Sequence, residues 1–204
     1  MSEINTENAQ ASGNQNDSGT SLSYDLLVFL WEVAKVVLIS LAIIVPIRYY
    51  LVQPFFVKGP SMESNFHDKD YLIVDEISYS LGEPKRGEAV IFRYPANPKE
   101  FFIKRIIGLP GEEVLVRDNK ITIFNRENPE GIILKEEYID SNQVTSGNMR
   151  TRLDENEYWV MGDNRMNSHD SRAFGPVNKS YFIGRATLRL FPFDRIGVIK
   201  SPTY

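Results

Sequence analysis

The sequence predicts a mostly β fold, in which an antiparallel β-sheet domain follows one N-terminal transmembrane helix. Two observations carry this prediction. A long apolar run lies near the start of the chain, at residues 26–47. After it, short runs rich in β-branched and aromatic residues alternate with Gly, Pro, Asn and Asp, as strands alternate with turns. A chain of 204 residues has room for one ordinary domain and an anchor.

Composition narrows the classes of function. Residues 1–47 carry five acidic residues and one basic residue, and the rest of the chain is balanced in charge. A balanced domain lacks the basic surface that nucleic-acid binding requires, so we expect no nucleic-acid partner. The chain contains no cysteine, which excludes disulfides, thiolate catalysis and cysteine-ligated zinc. We expect no metal and no cofactor.

The N-terminal part divides into a tail and a span. Residues 1–24 are rich in Ser, Asn, Gln, Thr and Gly, and we expect a disordered polar tail because they can bury little apolar surface. Residues 25–47 are expected to form the transmembrane helix, since a run of about 22 residues reaches roughly 33 Å. Glu32 and Lys35 interrupt the run at a spacing that lets them pair. A buried or interfacial helix is the alternative interpretation.

Residues 48–204 are expected to form the β-domain, with a small, polar insertion at 125–155. The predicted strands are residues 71–75, 89–94, 100–107, 114–117, 120–124, 158–161 and 182–191. Asp118-Asn119 separates two of them as a two-residue hairpin turn. Pro110 and Gly111 have the positions of a second turn.

Lys104 is the first candidate for chemistry. In a strand it shares one face with Phe102 and Ile106, and such apolar surroundings lower the pKa of a lysine. Lowering that pKa from about 10.4 to about 8 costs roughly 3 kcal/mol, which a domain accepts most readily where function needs it. The alternative is that Lys104 reaches solvent from a strand edge.

Two other segments are candidates for the same site. Ser61 lies in Gly59-Pro60-Ser61-Met62, where glycine permits close approach of a substrate and the serine N–H can donate to an oxyanion. A serine needs a base to act as a nucleophile, and this segment alone could equally be an ordinary turn. Residues 161–172 are dense in polar groups directly after an apolar strand, which fits either a site loop or a solvated loop.

Taken together, these segments resemble the type I bacterial signal peptidases, also called leader peptidases. Residues 59–63 are similar to the serine motif of that family, 70–75 to the strand after it, 104–112 to the lysine motif and 162–172 to the final motif. The four motifs occur in family order and span most of the β-domain. The resemblance implies a serine endopeptidase that uses a Ser-Lys dyad.

The resemblance also implies a role for each matching residue. Ser61 would be the nucleophile, and Lys104 the general base that takes its proton and returns it to the leaving amine. Ser168 would orient the lysine amine. Val57 is similar to a residue that lines shallow pockets for small side chains.

Further assignments concern the surroundings of the dyad. The resemblance implies ion pairs of Asp163 with Arg105 and of Asp170 with Arg172, which would hold the final loop against the lysine strand. We assign oxyanion and substrate binding to four residues: Gly59, Ser61, Val57 and Met62.

The sequence departs from the family pattern at several positions. Some family members have serine where this chain has Gly59, so the hydroxyl that helps to stabilise the oxyanion is absent and the second donor is open. Ser64-Asn65 stands where the family often has Pro-Thr, and Met166 replaces a frequent aspartate. Ser168-His169-Asp170 suggests a triad, but triad members normally come from separate segments. We expect His169 to fill a variable loop position.

The resemblance implies that the protein removes signal peptides from exported preproteins after small residues at positions −3 and −1. We expect a single-pass protein of the bacterial plasma membrane whose partners are preprotein signal peptides and the lipid bilayer, with the protein-translocation machinery as a further candidate. Residues 52–57 would dip towards lipid. Two alternatives stay open, a self-cleaving repressor of the Ser-Lys type and a membrane-tethered β-domain without catalysis.

Orientation is the point on which the sequence signals disagree. The tail has no Lys or Arg, whereas Arg48 and Lys58 follow the span, and the positive-inside rule would then place the β-domain in the cytosol. The resemblance implies the outer face instead. We expect the outer face, because four ordered motifs outweigh a few flanking charges.

Overall fold

The computed structural model describes residues 18–46 and 52–204, and it confirms the predicted fold class. Helix α1 covers Ser18–Pro46. Its segment Tyr24–Val45 has a mean hydropathy of 2.4 and no buried residues, so it is long and apolar enough to cross a membrane. Lys35 donates to Glu32 at 2.6 Å on this helix, the pairing that their spacing predicts.

The helix begins earlier than the sequence indicates. We expect a disordered tail through residue 24, yet residues 18–24 are helical, and residues 1–17 lie outside the described residues. Once a helix has nucleated in the apolar run, each added residue gains a hydrogen bond at a small entropic cost, so weak helix formers at its end can join it.

Residues 47–204 form a second compact unit. Its strands are β1 (Val52–Phe56), β2 (Tyr71–Asp75), β3 (Ala89–Tyr94), β4 (Asn97–Gly108), β5 (Glu113–Arg117), β6 (Lys120–Phe124), β7 (Ile132–Ile133), β8 (Met149–Arg152), β9 (Glu157–Met161), β10 (Val177–Asn178), β11 (Phe182–Phe191) and β12 (Gly197–Val198). Short α-helices cover Ile77–Leu81 (α2) and Ser171–Phe174 (α3), and single 3-10 turns cover Lys179–Tyr181 and Phe193–Arg195. All strand pairings are antiparallel.

The larger sheet positions the candidate site. Its strand order is β1-β2-β11-β3-β4-β9-β10, with β12 paired to β11. Strand β4 is therefore central, with Val90 of β3 opposite Lys104 and Met161 of β9 opposite Arg105. A lysine on an interior strand can be buried by its neighbours, and burial is the environment that perturbs a lysine.

The smaller sheet has the order β7-β6-β5-β8. One predicted turn joins β5 to β6 within it, and the other joins β4 of the larger sheet to β5. Asp118 and Asn119 have φ values of 52° and 61°, as a two-residue hairpin requires. Gly111 has a φ of 76°, and Glu112 N–H donates to the Leu109 carbonyl at 3.2 Å. Residues 125–155, which we expect to be an insertion, supply β7 and β8 to this sheet.

Candidate active site

Ser61 lies in the loop between β1 and β2. The path of this loop is fixed by a buried core cluster and by the loop that follows β9. Met62 and Phe66 are fully buried in one core cluster, so the segment directly after the serine is anchored. On the other side, Asn164 N–H donates to the Ser61 carbonyl at 3.1 Å, and Asn164 Nδ2 donates to the Pro60 carbonyl at 3.1 Å. The serine is therefore held between the core and the loop that follows β9.

Lys104 reaches the serine from the centre of β4. Its side chain is 4% exposed, and its Nζ donates to Ser61 Oγ at 2.7 Å and to the Ile103 carbonyl at 2.9 Å. Phe102 shares its face, as alternation predicts, with Nζ 5.2 Å from the centre of the ring. Lys104 does not reach solvent from a strand edge.

Burial changes the chemistry of this amine. Desolvation lowers the pKa of Lys104 to about 8, although the charges of Asp170 and Asp163 act in the opposite direction. A neutral amine at hydrogen-bonding distance from Ser61 Oγ has a lone pair that can accept the hydroxyl proton. The arrangement can therefore generate a nucleophilic serine without a histidine.

Arg105, the next residue of β4, points away from Lys104 and holds the final loop. Its Nε donates to Asp163 Oδ1 at 2.8 Å, its Nη2 donates to Asp163 Oδ2, and its Nη1 donates to the Gly87 carbonyl at 2.7 Å. Arg105 and Asp163 are 3% and 1% exposed. This buried, bidentate pair connects the lysine strand with the loop that contacts Ser61.

Asp170 and Arg172 form a second pair inside the same loop. Arg172 Nε donates to Asp170 Oδ1 at 2.9 Å, and Gly162 N–H donates to Asp170 Oδ2 at 3.0 Å. Burial by itself would raise the pKa of Asp170, but the hydrogen bonds and charge of Arg172 outweigh it and lower that pKa. The loop is therefore closed by an ionised carboxylate.

Ser168 differs from its expected role in this structure. Its Oγ is buried and has no partner at hydrogen-bond geometry among the described residues, although it lies near enough to Asp170 to lower the pKa of that carboxylate. Within residues 54–204, Nζ of Lys104 donates to Ser61 Oγ and to the Ile103 carbonyl and makes no hydrogen bond with Ser168. A Cβ added at Gly162 would overlap both the Ser168 hydroxyl and the Ser61 carbonyl, so glycine lets these groups pack together.

The residues assigned to the oxyanion differ in whether their backbone N–H groups already have an acceptor. Gly59 has a φ of 82°, and its N–H donates to Asp68 Oδ1 at 2.9 Å, so this N–H is already occupied. Among residues 54–204, the N–H groups of Ser61 and Met62 have no acceptor. Both are therefore available to a developing negative charge.

A cavity of about 530 Å³ opens at the dyad. Its lining residues are Phe55, Phe56, Val57, Lys58, Ser61, Ile91, Lys99, Glu100, Phe101, Phe102, Ile103, Lys104 and His169. Val57 lies in this lining, as we expect. The side chain of Met62 does not line the cavity, because it is fully buried and its sulfur accepts from Asp163 N–H at 3.4 Å.

His169 contributes to the cavity wall and not to a triad. Its Nε2 is 3.1 Å from the Tyr94 hydroxyl, and its ring packs against the rings of Phe102 and Phe174. No local pattern in the sequence indicates this aromatic cluster, because Tyr94, Phe102 and Phe174 come from separate segments. Among the described residues, no group of three or more His, Cys, Asp or Glu side chains could hold a metal ion.

Together, the antiparallel sheets, the cavity and the serine hydroxyl facing a buried lysine are the features of a β-rich hydrolase with a serine nucleophile. Comparison with known proteins gives the family. Residues 30–191 match the model of the family described as signal peptidase, peptidase S26. The chain therefore belongs to the signal peptidase family and is a peptidase with an N-terminal apolar helix.

Two relatives found by sequence agree with the family match. A probable signal peptidase I-2 of Synechocystis sp. is 34% identical over 83% of this chain and 77% of its own length. Signal peptidase I T of Bacillus subtilis is 32% identical over 83% of this chain and 89% of its own length. The crystal structure of a signal peptidase I from Enterococcus faecalis has 31% identity and a TM-score of 0.44, over 52% of this chain and 97% of that one.

Proposed function

We propose that the protein is a membrane-anchored serine endopeptidase that removes signal peptides from exported preproteins, with Ser61 as the nucleophile and Lys104 as the general base. One observation carries the assignment of the two residues. Nζ of the buried Lys104 lies 2.7 Å from Ser61 Oγ, and burial brings the pKa of that amine to about 8. Membership of the signal peptidase family supports the substrate.

The reaction proceeds in two proton-balanced steps. The neutral Lys104 amine accepts the Ser61 proton as Oγ bonds to the scissile carbonyl carbon, and the resulting ammonium returns that proton to the departing amine. A water molecule then loses a proton to Lys104 as it attacks the acyl-enzyme, and the ammonium returns this proton to Ser61 Oγ. The peptide bond is hydrolysed, and the enzyme is restored.

Backbone groups stabilise the charge on the carbonyl oxygen. The N–H groups of Ser61 and Met62 are adjacent in the chain and have no acceptor among residues 54–204, so we assign both to the oxyanion. These two N–H groups would take the place of the hydroxyl that some family members have at position 59. The backbone N–H of Gly59 is not a candidate, because it already donates to Asp68.

The cavity and the final loop supply specificity and support. Val57 is 4% exposed and lines a cavity whose other walls are mostly aromatic and aliphatic, so it limits the size of the side chain that can enter. We propose that this selects small residues at positions −3 and −1. The ion pairs of Asp163 with Arg105 and of Asp170 with Arg172 keep the final loop against the lysine strand.

The apolar helix supports a location in the membrane. We propose that Tyr24–Val45 is a single span in the bacterial plasma membrane and that residues 48–204 lie on its outer face, where cleavage sites of exported preproteins emerge. The lipid bilayer and the translocation machinery are the proposed partners, in addition to the signal peptides.

Cleavage of a model preprotein by the full-length protein tests the function. We expect Ser61→Ala and Lys104→Ala each to lower kcat by at least about a thousandfold, since members of one catalytic unit each account for most of its effect. Circular dichroism should show that both variants stay folded. Ser141→Ala and Lys120→Ala, at exposed positions, should cleave like the wild type. Full activity of either dyad variant would refute the assignment.

A further inference from the structure

Asn65 lies four residues after Ser61 in the same loop and is not among the residues that line the cavity at the dyad. Its amide nitrogen has two protons, and both are used. Nδ2 donates to the Tyr138 carbonyl at 2.9 Å and to Asp163 Oδ2 at 3.0 Å. One side chain of the serine loop thus contacts two other segments of the chain.

Both acceptors of Asn65 are themselves fixed. Asp163 is held by the bidentate contact with Arg105, which follows Lys104 in β4. The ring of Tyr138 lies under the guanidinium of Arg105, with Cζ 4.4 Å from the ring centre. The hydroxyl of Tyr204 donates to the hydroxyl of Tyr138 at 2.8 Å. Asn65 therefore hydrogen-bonds to a cluster of residues that also contacts Arg105, the neighbour of Lys104 in β4.

The position of Ser61 depends on contacts at both ends of its loop. Asn164 holds the Pro60 and Ser61 carbonyls at one end, and Asn65 holds the other end. A catalytic distance of 2.7 Å between groups on two different segments requires such fixing, because a shift of about 1 Å can lower a rate by about a hundredfold.

We infer that Asn65 is a positioning residue of this enzyme, which keeps Ser61 Oγ in register with Lys104 by bridging the serine loop to Asp163 and to the Tyr138 carbonyl. This inference rests on the proposed function. It gives a role to a departure from the family pattern, since a threonine at this position has one hydroxyl proton and cannot donate to both acceptors.

The test compares variants of the full-length protein on the same preprotein. Asn65→Ala removes both hydrogen bonds, and we expect kcat to fall about tenfold while KM stays within about twofold, because only the alignment of the dyad changes. The apparent pKa of the kcat/KM profile should stay at the wild-type value, since Lys104 remains buried. Asn65→Asp has the same shape but loses both donors and faces the Asp163 carboxylate, so it should be at least as impaired.

A control and the contrary outcomes complete the experiment. Asn142→Ala, at an exposed position of the 125–155 segment, should keep wild-type kinetics. Thermal melting identifies a variant that fails to fold. If Asn65→Asp does not fold, the kinetics of Asn65→Ala alone decide whether Asn65 is a positioning residue. A kcat of Asn65→Ala within about twofold of the wild type, a loss confined to KM, or a shifted apparent pKa would overturn the positioning role. Absence of cleavage by the wild type would instead overturn the proposed function.

Discussion

At Lys104 two electrostatic effects oppose each other, and burial is the larger. The charges of Asp170 and Asp163 favour the ammonium, whereas removal from water disfavours it and brings the pKa of Lys104 to about 8. A lysine with this pKa is about one-tenth neutral at pH 7, compared with a negligible fraction for a lysine in water. The residue is therefore a usable base near neutral pH, at some cost to the stability of the fold.

That cost predicts the effect of Lys104→Met on stability. The unfolded chain binds a proton at Lys104 up to about pH 10.4 and the folded protein only up to about pH 8, so the wild type gains stability as the pH rises between these values. Methionine removes the titration. We expect Lys104→Met to be more stable than the wild type at pH 7, by up to about 3 kcal/mol, with the difference shrinking towards pH 10.5.

Urea unfolding of both proteins at pH 7, 9 and 10.5 measures this difference. Lys120→Met, at an exposed position of the hairpin, is the matched control and should show little change across the same range. An equal effect of the two substitutions at every pH would contradict a depressed pKa at Lys104.

At the level of elements, the site depends on how the loop after β9 is tied to β4. The tie is the Arg105–Asp163 pair, which is removed from water on both sides. Breaking one half of such a pair leaves a buried charge without its partner, which is more costly than the loss of the contact itself.

We therefore expect Asp163→Ala to lower the free energy of unfolding by about 3–5 kcal/mol, because the guanidinium of Arg105 stays buried without its carboxylate. The matched control is Glu113→Ala, which breaks an equally bidentate but exposed contact with Arg150. Denaturant unfolding should show a much smaller effect for the control. If the two substitutions cost the same, the buried pair does not hold the loop as described.

Elements with a strong local pattern could be predicted from the sequence. The predicted bounds of β2, β3 and β11 match the structure, and the Asp118-Asn119 turn has the positive φ values that its residues favour. Strand β1 is not among the strands predicted from the sequence, and it contains Pro54, a residue that is unfavourable inside a sheet. Its position at the edge of the sheet explains the proline, since an edge strand tolerates a missing N–H.

The site could be predicted in its residues but not in all its contacts. Alternation along β4 indicates Lys104, and the resemblance to the signal peptidases implies Ser61 and the Arg105–Asp163 pair. The Ile103 carbonyl as the second partner of Lys104, and the bridge from Asn65 to Tyr138, depend on how distant segments meet. No local sequence pattern indicates these contacts, because the residues on either side of each partner show no unusual composition or spacing.

On the scale of the whole molecule, the chain consists of an apolar helix and a β-unit with its own core. The three core clusters all lie in the β-unit. In the helix, the 22 residues of Tyr24–Val45 are together long and apolar enough for one crossing.

The proposed outer-face location predicts the accessibility of the β-unit to an added protease. In spheroplasts, an added protease should digest residues 48–204 at engineered exposed sites or after mild denaturation. In inverted vesicles, the membrane should protect the same residues from the protease. A tag placed in the exposed Asp118-Asn119 turn provides the readout. Digestion only in inverted vesicles would place the domain in the cytosol, as the flanking charges suggest.

The pH dependence of kcat/KM tests the central claim most directly, namely that the buried Lys104 is the general base. Only the neutral amine can accept the Ser61 proton, so the rate should rise with pH and level off above an apparent pKa of about 8, the value that burial gives Lys104. The same profile should be obtained with preproteins of different sequence, because the titrating group belongs to the free enzyme. A rate that is independent of pH, or that continues to rise to the pKa of an ordinary lysine near 10.4, would contradict the account.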